Sequence, residues 1–153
     1  METKEYKIVE GTFADKIESM YGLFEQHWDE VAKNKEVMVL KGNTEQYHKM
    51  EEGGNLFTLF AYHGDDLVGY SVNIVTRHLH YADLVYGMND ILFVTPEHRN
   101  SPIELRLIRH TERLARDRGV KLFHWHAKQG TSLAKILPVL RYDVHEIVFS
   151  KVL

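Results

Sequence analysis

The chain has 153 residues, 44% of them hydrophobic and 27% charged, with 19 basic against 22 acidic side chains and a formal net charge of −3. That length is expected to form a single domain (1–153) with a sizeable core, and the charge argues against nucleic-acid binding by bulk electrostatics. The absence of cysteine excludes disulfides, thiolate metal sites and a cysteine nucleophile; no apolar run reaches the length of a membrane span and no signal peptide is visible, so a cytoplasmic setting without a membrane partner is expected.

Residues 6–10 read as a short strand. Thr12 with Asp15 three positions on is a helix-opening pair. Phe13, Ile17, Met20, Tyr21, Phe24, Trp28 and Val31 then recur at helical steps, a stripe wide enough to cover a sheet. Residues 37–40 are a bend or a short extended piece, and a second helix spans 44–51 until Gly53 and Gly54 stop it. Residues 56–63 and 67–76 are strands joined by the hairpin signal Gly64-Asp65-Asp66. A strand over 84–94 follows the loop 78–83.

Pro96 closes that strand near Thr95, because proline lacks the N–H a ladder needs. Ser101, Pro102 and Glu104 are spaced as N-cap, first helical residue and reciprocal capping-box partner. Ile103, Leu107, Ile108, Thr111, Leu114 and Ala115 share one face of the ensuing helix, and Gly119 ends it. Strand, loop and helix start thus meet at one point, and free backbone N–H groups at a helix start are a natural anion site. Beyond lie a strand over 121–127, a helix over 131–140 and a last strand over 142–152. Strands and helices in this order make an α+β or mixed α/β sheet covered by helices on both faces.

The run Phe93-Val94-Thr95-Pro96-Glu97-His98-Arg99, followed by a long helix ending in Arg118-Gly119, resembles the central motif of the GNAT acyltransferase superfamily. The order of elements is similar over nearly the whole chain. A looser resemblance ties this helix to phage-encoded GNAT proteins. The superfamily resemblance implies a central, mostly antiparallel sheet. It further implies an N-acyltransferase that moves an acetyl group from acetyl-CoA, as co-substrate, to an amine of a small molecule or protein, with no metal expected. In that reading the backbone of Leu92 and Val94 aligns pantetheine, and Arg99, Asn100, Ser101, Pro102, Ile103, Glu104 and Leu105 receive the pyrophosphate. The family loop has two glycine positions after its arginine; Arg99 matches, whereas Pro102 and Glu104 stand where the glycines do. The family's acid tyrosine is matched by Leu137, its following glycine by Arg141, and its CoA-contacting asparagine by Gly130. These departures keep an alternative open, a GNAT-fold protein without catalysis that binds a host or partner protein. A homodimer is a further expectation.

Asp90 lies on the central strand beside apolar neighbours, where a carboxylate must be paired, solvated through a cleft or shifted in its titration. The resemblance implies a general base at this position; a structural hydrogen bond is the other reading. His124 and His126 lie two apart on the strand over 121–127 and so share a face, as do His78 and His80 by spacing. Such pairs serve proton transfer, substrate contact or metal ligation, or they are merely half-buried strand residues. His124 or His126 is the candidate acid in place of the absent tyrosine. Arg106, Arg109, Arg113 and Arg116 form a basic ridge for the nucleotide phosphates or, balanced by Glu112 and Asp117, a solvated face.

Overall fold

The structure is a computed structural model that describes residues 4–153. Five strands, β1 (Tyr6–Gly11), β2 (Leu56–His63), β3 (Asp66–Arg77), β4 (Val85–Val94) and β5 (Leu122–His124), lie side by side in chain order. β1 to β4 pair antiparallel; β4 and β5 pair parallel. The helices are α1 (Tyr21–Val31), α2 (Thr44–Glu52), α3 (Ile103–Asp117) and α4 (Ser132–Val139). A parallel neighbour needs a crossover, and α3 provides it between β4 and β5.

The sheet is covered on both faces, so its central strands read as near-continuous apolar runs, β2 being buried over its first six residues. On one face Phe13, Ile17, Met20 and Phe24 pack with Phe60, Tyr70, Val72 and Phe93. On the other, Ile103 and Leu107 of α3 pack with Leu59, Ala61, Val68 and Val94, and Ile108 joins α4 through Leu133 and Leu137. Under α3 the sheet buries a small polar set, in which Ser71 Oγ lies 2.9 Å from Thr111 Oγ1 and takes a hydrogen bond from Asn73 Nδ2 at 3.0 Å. Pairing within the set offsets the cost of burying these groups.

Four elements depart from the sequence reading. The predicted first helix resolves into turns over residues 13–20 and a helix only from Tyr21. There Lys16 N bonds to Phe13 O, Met20 N to Lys16 O, and the Ser19 hydroxyl competes for that last carbonyl at 2.9 Å. Glu51 at the end of α2, rather than Thr12 or Asp15, accepts from Phe13 N at 2.6 Å and Ala14 N at 3.3 Å. The capping box does not form, for reasons given with the site below. β5 stops at His124 instead of Ala127. Finally, residues 142–152 form no strand: Tyr142 N closes onto Leu137 O at 3.1 Å, and the chain beyond is exposed.

Candidate active site

Asp90 owes its setting to a register fault. Along β3 and β4, Val72 pairs with Ile91 and Asn73 with Asn89, which leaves Asp90 as an extra residue without a partner. Such a bulge re-aims a side chain and breaks the ladder locally, and bulges concentrate beside functional sites. Here it turns the carboxylate into a cleft of about 470 Å³ between the sheet, α1 and α2. Asp90 is therefore exposed rather than enclosed in the strand. Its Oδ2 accepts a 2.5 Å hydrogen bond from the Tyr47 hydroxyl of α2. Burial, and then the charge of Asp90 and that hydrogen bond, push the Tyr47 phenol well above its usual range. Tyr47 thus stays protonated, an oriented donor that leaves Oδ1 free for other chemistry.

One residue earlier the sheet opens. β4 and β5 pair only at Tyr86 with Leu122, Gly87 with Phe123 and Met88 with His124. The next rung is replaced by a side chain: Asn89 Oδ1 accepts from His126 N at 2.6 Å, and Asn89 Nδ2 donates to His126 O at 3.1 Å. An amide side chain inserted between two strands spaces them apart, which accounts for the early end of β5. No ladder to β5 continues beside residues 90–94, so the β4 edge carrying Leu92 and Val94 faces away from β3 without a strand neighbour among the described residues.

The histidines expected on one strand are separated by the same event. His124 is the last residue of β5; its ring lies 4.7 Å from His145 and 5.9 Å from Tyr86, and burial, followed by the His145 charge, lowers its pKa. His126 lies past the strand end with its backbone fastened to Asn89 and its side chain exposed. Among the described residues no three His, Asp or Glu side chains are arranged to hold a metal ion.

The turn between β4 and α3 begins with a 3-10 turn (Pro96–His98). Arg99 follows, and three of its donors are taken. Nε donates to Val94 O at 2.8 Å, while the two terminal nitrogens grip both oxygens of Glu30 on α1 at 2.5 and 2.6 Å. The guanidinium also lies over the Phe93 ring, on which His27 is stacked at 4.9 Å. Burial, with a smaller push from Arg99, lowers His27 to a pKa of about 4 against the opposing charge of Glu30. Ser101 donates to His98 O at 2.5 Å and only weakly accepts from Ile103 N at 3.4 Å. Asn100 is exposed, Ile103 is fully buried in the core, and Leu105 is half-buried.

Glu104 explains the missing capping box. Instead of returning to Ser101, its Oε1 accepts from the Ser132 hydroxyl at 3.1 Å, joining the start of α3 to the start of α4. Burial raises its pKa, with Ser132 and Arg99 pulling the other way. A carboxylate here benefits from the N-terminal ends of two helices, an outlet that local spacing could not reveal. Leu137 is buried in the α4 core, so nothing at that position supplies a proton. The basic ridge is broken as well, since Arg106 turns to Tyr6 O of β1 at 3.3 Å.

Tyr47, Glu30, His27 and Asn89 escaped the sequence reading. Each lies far along the chain from its partner or acts through its own side-chain amide. Only Asn89, a polar residue preceding Asp90 in an apolar strand, carried a local signal.

No protein-family model matches the chain, and no curated protein matches it. Solved structures do. A GCN5-related N-acetyltransferase from Ralstonia eutropha JMP134 superposes with a TM-score of 0.75 at 17% identity, covering 97% of this chain and 99% of that one. An aminoglycoside acetyltransferase from an uncultured soil metagenomic sample, in complex with sisomicin, gives 0.74 at 17% identity over 97% and 96%. AAC(6')-Iy, in complex with the bisubstrate analogue CoA-S-monomethyl-acetylneamine, gives 0.69 at 13% identity over 96% and 97%. With strand order, both covered faces and end-to-end overlap in agreement, the chain has the fold of the GNAT N-acetyltransferases.

Proposed function

We propose that the protein is an N-acyltransferase that moves an acetyl group from acetyl-CoA to the amine of an acceptor held in the Asp90 cleft. The observation that carries this reading is the bulge. It aims a carboxylate with one free oxygen into an open cleft, beside a β4 edge that no strand among the described residues pairs with and that Arg99 Nε touches at Val94 O. An extended pantetheine has peptide-like amides that suit such an edge at Leu92 and Val94. The α3 start offers the N–H groups of Asn100, Glu104 and Leu105 for phosphate, while Ser101 N already donates to His98 O at 3.1 Å and Ile103 N only weakly to Ser101 Oγ at 3.4 Å. Arg99 fits only after giving up Glu30.

Asp90, directly or through a water, takes a proton from the acceptor ammonium. The neutral amine attacks the thioester carbonyl, and the backbone N–H freed by the bulge stabilises the oxyanion. Carbon–sulfur cleavage expels CoA thiolate, the attacking nitrogen loses its remaining extra proton to solvent to give the neutral amide, and the thiolate is protonated by His126 across the gap or by solvent. His124, held against Tyr86 and His145, is the less available donor. The alternative without catalysis draws on the engaged Arg99 and the buried Leu137, yet gives no account of the bulged carboxylate. The exposed segment after Tyr142 supports the homodimer as part of this reading.

Incubation with acetyl-CoA and a mixed amine panel, following free CoA thiol and amide mass, tests the proposal. Amide formation that vanishes in Asp90→Asn is expected. Acetyl-CoA binding without amide formation from any amine would favour the partner-binding alternative.

A further inference from the structure

The walls of the cleft go further than the reaction class. Phe24, Trp28, Met38, Met50 and Ile74 line it, together with Tyr47. Asp90 is its single carboxylate, and its other charged residue is a cation, Lys41. The wall made by residues 38–40 is fixed in place: Trp28 Nε1 donates to Met38 O at 2.7 Å and the Tyr21 hydroxyl to Leu40 O at 3.0 Å. Leu40 is thereby held against the core while Met38 and Val39 stay 51% and 72% exposed at the cleft.

Charge and size select among amines. Each ammonium brought into such a space sheds water and needs a carboxylate or several acceptors in return. The cleft offers one carboxylate and opposes a second cation with Lys41. Its volume is that of a site for a drug-sized molecule or smaller, and its lining rewards an apolar body. We propose that the acceptor is a small primary monoamine on an aromatic or branched aliphatic body, and that polyamino sugars are poor acceptors. The inference rests on the acyltransferase reading for its chemistry, but the fit of amine to cleft stands separately.

Calorimetric titration of the full chain with phenethylamine, ethanolamine and sisomicin, at moderate salt, reads that fit without turnover. Phenethylamine is expected to bind at least about tenfold more tightly than either of the others. Met50→Gln, near-isosteric and half-buried, should weaken phenethylamine about fivefold while a circular-dichroism melt stays unchanged. Should that variant unfold, Met38→Glu at the exposed rim is the second probe. It adds a carboxylate and should raise sisomicin affinity relative to phenethylamine. Preferential phenethylamine binding without acetylation would overturn the acyltransferase reading and leave the monoamine site standing. Equal or tighter sisomicin binding to the wild type would overturn the monoamine site, whatever the turnover.

Discussion

At Asp90 the chain had announced a difficulty and concealed its solution. A carboxylate among apolar strand neighbours had to be paired or solvated, and it is both, through Tyr47 and the cleft. The bulge was illegible because it exists only in the register between β3 and β4, and Tyr47 because it arrives from a helix 43 residues earlier. Asp90→Asn is expected to lower acyl transfer at least ~100-fold with the melting temperature retained, since positioned bases contribute on that scale. Unaltered turnover would move Asp90 to a structural role. Arg141 offers a stability test at the same scale. It stands where the family resemblance places glycine and adopts a φ of +66°, a conformation that side chains disfavour. Arg141→Gly should therefore stabilise the fold by about 0.5–1 kcal/mol in denaturant melts, with no change in turnover. A loss of stability would show that the arginine side chain more than repays its backbone strain.

Between elements, α1 acts as a clamp on the turn that leads into α3. Periodicity announced the apolar stripe of α1, and punctuation announced the α3 start, but nothing local said that Glu30 would reach Arg99. The pair leaves the loop's main cation neutralised, on a partly exposed helix where such a contact is worth about 1 kcal/mol or less. Glu30→Gln should accordingly tighten CoA binding severalfold in calorimetric titration, with the gain shrinking at high salt. Affinity unchanged in low salt would mean that Arg99 takes no part in holding CoA. The same clamp titrates. His27 has a folded pKa of about 4, below the usual 6.5. Between those values the unfolded chain binds a proton that the folded chain refuses, so stability is full above about pH 6.5 and declines as pH falls toward 4. Urea melts at several pH values should show this slope, and His27→Gln should flatten it. An identical slope in the variant would assign the acid sensitivity to other groups.

Over the whole molecule the sequence was most misleading where it was most strand-like. Residues 144–149 are rich in β-favouring apolar side chains, yet Val144, Val148 and Phe149 are 84%, 82% and 89% exposed. β-Propensity is satisfied only by a ladder partner, and the described residues supply none: β5 is short, and among them only β4 pairs with it. Tyr142 ties the root of the segment down, with its hydroxyl 2.5 Å from Glu112 and its ring edge-on to Trp125. Past that anchor the chain holds an apolar strip that meets β5 at His124, and the outer edge of β5 has no strand partner among the described residues, the two halves of an exchange between copies. The expected outcome is that the full chain sediments as a dimer through the micromolar range, whereas a chain ending at Tyr142 is monomeric. Because the removed residues pack against little, the melting temperature of the truncated chain extrapolated to low concentration should move by only a few degrees. A full-length monomer would overturn the dimer; a truncated chain that fails to fold would instead show that the segment completes the sheet of its own molecule.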